Sequence, residues 1–340
     1  MSVAINGTNG ITYNDGSLQP SAPVGRNLII NGNMAINQRG SASYDITGAV
    51  YTLDRYRGGA SIASKFSIAQ GTTTPPAGFT NYLQVTSSAS TTIGSTNSYS
   101  FFQRVEGYNV ADLNWGTSDA QTVTMSFWVR STLTGTFGGK LQNSAQNRIY
   151  IFSYTISSAN TWEKKTITVT GDTTGTWLTT NGVGLSINFS VGAGSGKEAT
   201  AGSWGTDNIP IQPTGSTNVV ATSGATWQIT GLQLEAGTTA TPFEHLQYGQ
   251  QLALCQRYFE VVDTGSANAA YGTPGAVSSG RVGYISYTYN TSKRANPTVV
   301  MASGGTLSTL QTAGLNVASA YASTDIYPRF NPGSTFSSEL

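Results

Sequence analysis

The chain has 340 residues, of which only 10 % are charged, and 17 basic side chains against 16 acidic ones leave a net charge of +1. An average soluble domain has roughly 25 % charged residues, and here Thr, Ser, Asn, Gln and 40 glycines take their place. The charge balance and the absence of any Lys/Arg run exclude an electrostatic nucleic-acid footprint, and the single cysteine excludes an intrachain disulfide or a cysteine-rich zinc site.

Residues 1–24 are rich in Gly, Asn, Thr, Ser and Pro and have little apolar content. They predict an arm without a core of its own, either disordered or ordered against a partner. The opening MSVAINGTNG lacks the basic and apolar regions of a secretory signal, and no stretch of the chain approaches the ~20 apolar residues of a membrane span. We therefore expect neither secretion by a signal peptide nor membrane insertion.

Residues 25–244 have the sequence pattern of β-strands. In TVTMSFWVR (122–130) apolar and polar residues alternate with a period of two, which places Trp128 opposite Phe127. The same period recurs in VGLSINF (183–189), and TITVT (166–170) supplies a further short strand. Many short strands separated by Gly, Asn and Ser turns predict an all-β jelly-roll sandwich.

Two further segments of this region depart from simple alternation. RIYIFSYTI (148–156) is apolar on both faces, as expected of a central strand. In TWQITGLQL (226–234) the apolar phase slips by one residue at Thr230–Gly231, which predicts a β-bulge at that glycine.

A helical pattern interrupts the strands at residues 246–259. Tyr248, Leu252, Cys255 and Phe259 recur at steps of four, three and four, which predicts an apolar stripe on a linker helix over 245–260. This stripe either forms a neck of helices from several copies or packs against its own sandwich. Residues 261–340 return to strand character, as in VGYISYTY (282–289) and PTVVM (297–301), and predict a smaller C-terminal β module.

The candidate catalytic groups are sparse. Asp45, Asp54, Asp172 and Asp207 could supply the carboxylate pair of a glycosidase, but Asp beside Gly or Thr usually forms turns. No cofactor is expected; structural calcium at an Asn/Asp-rich turn is a hypothesis without an identified site.

Aromatic residues are the candidates for binding, because their rings can stack on sugar rings while their polar ends form hydrogen bonds. The alternative is that they cover sheet edges or subunit contacts. The predicted glycan-binding residues are Trp128, Trp177, Trp204, Tyr284 and Tyr287.

Four segments together resemble bacteriophage virion proteins of the tail-fibre and receptor-binding type: NLIINGNMAINQRG (27–40), DRY (54–56), SFWVRS (126–131) and ITGLQLEAGTTATPFEHLQYGQQLALCQRYF (229–259). The resemblance implies a sandwich similar to carbohydrate-binding modules, followed by a short helix and a C-terminal β module. It also implies a homotrimer made in the host cytoplasm and located in the virion.

The expectation from this resemblance is a non-enzymatic virion protein, located in the tail rather than the capsid. Residues 1–24 would dock on the phage tail or another virion protein, and the rest would contact host-surface glycan. The alternatives are a capsid-decorating or tail-assembly protein without a receptor role, and a glycan depolymerase.

Overall fold

The structure, a computed structural model, describes residues 25–40, 42–262, 289–300 and 334–339, and the backbone of short strands at 4–6, 10–12, 18–19, 273–274, 285–286, 309–310 and 317–318. No helix in this described part is long and apolar enough to cross a bilayer.

The strands before the midpoint of the chain are β1 (Ala4–Asn6), β2 (Gly10–Thr12), β3 (Leu18–Gln19), β4 (Tyr44–Asp45), β5 (Val50–Tyr51), β6 (Tyr56–Ala60), β7 (Phe66–Gly71), β8 (Tyr82–Ser87), β9 (Ser98–Glu106), β10 (Val123–Ser131), β11 (Gly135–Gln142), β12 (Ile149–Ile156) and β13 (Glu163–Val169). Those after it are β14 (Val183–Ala193), β15 (Glu198–Ala199), β16 (Trp204–Gly205), β17 (Gln212–Pro213), β18 (Thr226–Ala236), β19 (Phe259–Val262), β20 (Thr273–Pro274), β21 (Ile285–Ser286), β22 (Thr298–Val300), β23 (Thr309–Leu310), β24 (Val317–Ala318) and β25 (Ser334–Ser337). The helix α1 spans Tyr248–Gln256, and single 3₁₀ turns span Gly107–Asn109, Ala111–Leu113, Ser195–Lys197 and Val219–Ala221.

Two large antiparallel sheets form a sandwich, which confirms the predicted fold class. One sheet has six strands in the order β13-β10-β18-β8-β7-β4, and the other has seven in the order β16-β12-β11-β14-β9-β6-β5. Their facing sides enclose one apolar core, in which Phe101, Phe189 and Trp227 are in mutual ring contact at 5.2–5.8 Å between centroids. Inward-facing residues alternate with outward-facing ones along each strand, as such packing requires.

The strand predictions hold in detail where the local pattern is clear. Phe127 is fully buried and Trp128 is half-buried on the opposite side of β10. The register of β10 and β18 shifts between Ser126 and Trp128, which confirms the predicted bulge. Gly231 occupies it with φ +63°, a left-handed conformation that glycine adopts without a steric penalty.

The strand β12 is apolar on both faces because another segment of the chain covers its outer face. It lies second from the edge of the seven-stranded sheet, next to the two-residue β16. Its outward Ile149 and Ile151 are buried, and β17 contacts both β11 and β12. Pro213 of β17 packs so closely on Gly138 that a Cβ there would lie 2.5 Å from the proline Cδ. The segment that contains β17 therefore covers this end of the sheet.

The segment 27–34 runs beside the second half of β18, where β8 no longer pairs with it. Leu28 N–H donates to the Leu234 carbonyl and Leu232 N–H donates to the Gly32 carbonyl, both at 2.9 Å. Asn27 adds side-chain hydrogen bonds to the backbone of the same strand, with Oδ1 accepting from Leu234 N–H at 3.0 Å. Two segments 200 residues apart in the sequence therefore form one part of the sheet.

The helix is shorter than predicted and belongs to the sandwich surface. It ends at Gln256, and Phe259, assigned to its apolar stripe, begins β19, so the predicted linker helix over 245–260 is wrong in its extent. Cys255 is buried against Ile30 and Ile36, with Leu252 packed beside them, whereas Tyr248 is 65 % exposed. Of the two packings left open by the sequence, the described chain has the stripe packed against its own sandwich.

Beyond the helix, β19, β25 and β22 form a three-stranded antiparallel sheet, with β25 in the middle. The predicted strand at 297–301 is confirmed as β22. Most of the predicted arm and of the C-terminal module lies outside the described residues, and the domain boundaries at 24, 244 and 260 stay predictions.

Candidate functional site

The chain that leaves the helix α1 forms a structural joint with the sandwich. Arg257 Nε donates to Glu106 Oε2 at 2.9 Å, and the Tyr258 hydroxyl donates to the same oxygen at 2.6 Å. Burial raises the pKa of Glu106, but the hydrogen bonds from Arg257 and Tyr258 outweigh burial and hold it below its usual value. A carboxylate on β9 is therefore held by the chain that leaves the helix.

A second carboxylate, at the end of the described chain, is also held by arginine side chains of the sandwich. Glu339 pairs with Arg39 at 2.9 Å and with Arg55 at 3.0 Å, and the Arg55 guanidinium lies 3.4 Å from the centre of the Tyr258 ring. Glu260, fully buried, pairs with Lys293. We define the joint as these paired residues, which fix the three-stranded sheet on the sandwich: Arg39, Arg55, Glu106, Arg257, Tyr258, Glu260, Lys293 and Glu339.

The predicted glycan-binding tryptophans do not form one exposed platform. Trp177 is buried and Trp204, half-buried, lies in β16, with 5.5 Å between their ring centroids. Trp115 completes this cluster, and the indole N–H of each ring donates to a carbonyl or carboxylate of its own chain.

Trp177, a predicted glycan-binding residue, is therefore buried within this cluster. Trp128 lies away from this cluster, half-buried on the outer face of the six-stranded sheet. Tyr284 and Tyr287 lie outside the described residues. A role of any of these side chains in glycan binding stays a prediction.

The candidate carboxylates are occupied by hydrogen bonds from their own surroundings. Asp172 accepts two bonds from Arg148 at 2.7 Å, and Asp54 accepts from the backbone and side chain of Gln38. Asp45 accepts from Ser64, and Asp207 accepts from the Ile209 N–H in a turn. Nor do the described residues include a group of three or more His, Cys, Asp or Glu that could hold a metal ion.

The outer face of the seven-stranded sheet has a different composition from an ordinary surface. Its residues are paired directly across neighbouring strands, so their side chains point to the same side, away from the core. One register row crosses five strands, and a second row lies beside it. We define the polar face as the residues of the two rows: Lys140, Asn188, Phe102, Arg57 and Tyr51 in the first, and Gln142, Ser186 and Arg104 in the second.

Side-chain oxygens on the polar face are buried without a hydrogen-bond donor. Asn188, 8 % exposed, donates through its amide to Ser100 Oγ at 3.3 Å, but its Oδ1 has no partner among the described residues. Gln142 Oε1 is also buried without a donor among the described residues. A buried acceptor without a donor costs roughly 1–3 kcal/mol. The outer face of the six-stranded sheet also has two such atoms, Gln228 Oε1 and Thr230 Oγ1, so the polar face differs from it in its cations and rings.

Cations and rings alternate along the rest of the polar face. The Arg57 guanidinium lies 5.2 Å from the Tyr51 ring centre and 5.9 Å from that of Phe102, and Arg104 lies 5.3 Å from Phe102. Burial, with the charge of Arg57 as a lesser cause, lowers the pKa of Arg104, although the Tyr51 charge opposes this. The rings are half-buried, so each presents part of its surface to solvent.

Sequence reasoning missed this face, although a signal for it is present. In β14 the residues between Leu185, Ile187 and Phe189 are Ser186 and Asn188, which are small and uncharged, and both are buried. An ordinary solvent-facing strand would carry Lys, Glu or Thr at such positions. Small amides and hydroxyls on the non-core face therefore favour a covered or binding surface.

No protein-family profile and no curated protein matches the chain. Among solved structures, a bacteriophage CBA120 tailspike protein 4 domain is similar at 11 % identity over 62 % of this chain, with a TM-score of 0.36. The cellulose-binding domain of a Cellulomonas fimi glucanase and the family 22 carbohydrate-binding module of Clostridium thermocellum Xyn10B match over 65 % of this chain, at 13 % and 12 % identity and TM-scores of 0.31 and 0.33.

The lengths of these matches differ. The chain covers the whole of both carbohydrate-binding domains but only 22 % of the tailspike domain, and 29 % of an arabinose-bound α-L-arabinofuranosidase that also matches.

Proposed function

We propose that this chain is a non-catalytic glycan-binding protein, and that the glycan binds on the polar face of the seven-stranded sheet. The observation that carries the proposal is that two buried acceptors without a donor among the described residues, Asn188 Oδ1 and Gln142 Oε1, lie on one face with alternating cations and rings. Sugar hydroxyls can donate to such acceptors, and the half-buried Phe102 ring, paired across strands with Asn188, supplies a surface for the apolar face of a sugar ring.

The hydrogen bonds of the described carboxylates support binding without hydrolysis. A glycosidase needs two carboxyl groups facing one substrate, one of them free to give up or accept a proton. Asp54 and Asp172, the buried candidates, are held by Gln38 and Arg148 instead. Glu106 is likewise committed to the joint.

The proposal is tested by measuring glycan binding to three variants. Asn188→Ala removes the unpartnered acceptor and Phe102→Ala removes the ring, and we expect each to weaken binding at least about tenfold, which corresponds to about 1.4 kcal/mol. Trp128→Ala tests the rival site that the sequence predicts, because it removes an aromatic ring from the outer face of the other sheet.

Glycan arrays followed by calorimetry would measure these affinities, and thermal unfolding would confirm that each variant is folded. If Trp128→Ala abolishes binding and the other two variants retain it, the site lies on the six-stranded sheet and the proposal is wrong. Retained binding by all three variants also contradicts it.

We propose further that the protein is a virion subunit of the tail-fibre or receptor-binding type, with residues 1–24 as the docking segment. The four-segment sequence resemblance supports this role. Immunogold labelling of intact virions should mark the tail, and labelling of the head would favour the capsid-decorating alternative.

A homotrimer is part of the same proposal, but Leu252 and Cys255 pack within one chain, so the trimer would form through other surfaces. Sedimentation equilibrium of the full chain measures the number of copies. Three chains per particle are expected, and a monomer at high concentration would contradict the trimer.

A further inference from the structure

The polar face carries more positive charge than a neutral sugar requires. We infer that its ligand is an acidic glycan, one that carries carboxylate or phosphate groups. This inference rests on the proposed function of the same face and names the class of glycan.

Lys140 is the most constrained cation of the face. It is 5 % exposed, and its Nζ makes one long hydrogen bond, 3.5 Å to the Asn208 carbonyl. Lysine has three donors on Nζ, and the ion pairs of the described residues do not include Lys140. A buried ammonium of this kind is unfavourable unless an anion or further acceptors come to it.

The surroundings of Lys140 do not supply that anion. Burial, followed by the charge of Lys197, lowers the pKa of Lys140 to about 8, and Asp207 opposes the shift without overcoming it. Lys140 therefore remains mainly protonated at neutral pH. Asp207 also accepts the Ile209 N–H in its own turn, at 3.0 Å.

Arg57 and Arg104 extend the positive charge across the sheet. Both are half-buried, both lie beside the Phe102 ring, and neither forms an ion pair with a described residue. The Nε of Arg57 is buried without a partner in this part of the chain. Guanidinium groups bind carboxylates and phosphates with paired hydrogen bonds, so these two side chains suit an anionic substituent.

The acidic group that could neutralise the face is already used elsewhere. Glu339 influences Tyr51, but its carboxylate pairs with Arg39 and Arg55 in the joint. Lys140, Arg57 and Arg104 thus carry three positive charges on one side of a chain whose net charge is +1. Clustered charge of one sign raises the local concentration of oppositely charged ligands.

The test compares matched acidic and neutral polysaccharides with the full chain. The carboxylate arm uses polygalacturonate against its fully methyl-esterified form, and the phosphate arm uses phosphorylated dextran against dextran. We expect at least tenfold tighter binding of the acidic member in one arm, and a decrease of that binding between 50 and 300 mM NaCl, because counterions screen the contacts. The arm that responds identifies the anionic group.

Substitutions of single cations test which side chains bind the anionic group. Arg104→Gln and Lys140→Met should each reduce acidic-glycan binding at least fivefold, and by a larger factor than they reduce binding of the neutral partner. Lys164→Met is the matched control, because Lys164 is an exposed lysine on the other sheet, paired across strands with Trp128. It should leave both affinities unchanged.

The outcomes separate the inference from the proposed function. Equal binding of acidic and neutral forms, lost in Asn188→Ala, overturns the acidic class and leaves glycan binding on the polar face intact. Acidic binding that Lys164→Met weakens as much as Arg104→Gln reflects net charge alone and overturns the inference. Absence of binding to the whole panel overturns both.

Discussion

The joint and the polar face use the same residue types in opposite ways. In the joint, Arg257 and Tyr258 meet the buried Glu106, and Lys293 meets the buried Glu260. On the polar face, Lys140 is buried and Arg104 is half-buried, and neither has an ionic partner among the described residues. Buried charge with a partner holds two parts of a chain together, whereas buried charge without one is retained at a cost in stability that a ligand can offset.

The largest expected effect on stability comes from a substitution that breaks the joint. Arg257→Ala leaves the Glu106 carboxylate, 1 % exposed, with the Tyr258 hydroxyl as its remaining donor. We expect the free energy of unfolding to fall by about 3–4 kcal/mol, as when one partner of a buried ion pair is removed. Urea unfolding at pH 7 measures it.

The matched control is Arg104→Ala on the polar face, where the guanidinium has no ionic partner in the described chain. It should change the free energy of unfolding by less than about 1 kcal/mol. Equal losses in the two variants would remove the distinction between the joint and the polar face.

The next substitution, at Lys140, is expected to stabilise the folded chain. The pKa of Lys140 is about 8 in the folded chain, against 10.5 for an unperturbed lysine. Below pH 8, Lys140 is protonated in both the folded and the unfolded chain, and the folded state carries the full cost of burying the charge. Between pH 8 and 10.5 only the unfolded chain keeps the Lys140 proton. The free energy of unfolding therefore rises with pH over this range. Lys140→Met should therefore stabilise the folded chain by about 1–3 kcal/mol at pH 7.

Urea unfolding at pH 7 and at pH 10.5 measures this difference, which should nearly vanish at the higher pH. Lys164→Met, on an exposed side chain, should show no change at either pH. Destabilisation by Lys140→Met at pH 7 would mean that the lysine has a stabilising partner within the protein.

The smallest effect tests one hydrogen bond of the joint. Tyr258→Phe removes the 2.6 Å bond to Glu106 but keeps the ring beneath the Arg55 guanidinium. A loss of about 1–2 kcal/mol is expected, since Arg257 still satisfies the carboxylate. Tyr248→Phe, at a ring that is 65 % exposed, is the control and should be neutral in the same urea titration.

The sequence was sufficient for the parts of the fold that depend on near neighbours. Alternation with a period of two located β10 and β14, and the slip in apolar phase located the bulge at Gly231. The end of α1 could not be predicted, because Phe259 has helical spacing from Cys255 but pairs with Ser337, 78 residues later. A contact at that separation leaves no local periodicity.

Apart from the signal in β14, the residues of the candidate site could not be brought together from the sequence, for the same reason. Tyr51, Phe102, Lys140 and Asn188 belong to one face only after five strands have paired in their observed register. Aromatic type alone pointed instead to Trp177, which the structure buries with its N–H bonded to Asp172. Residue type identifies what a side chain can do, and the register of distant strands decides where it does so.

The segment 27–34 has a consequence for how the chain is made. Its backbone partners, Leu232 and Leu234, leave the ribosome about 200 residues after it. Until then, Ile29 and Met34, both buried in the finished core, lack the strand beside which their segment lies. Closure of the six-stranded sheet is therefore a late event in synthesis. A nascent chain halted before Leu232 should bind chaperones through the segment 27–34.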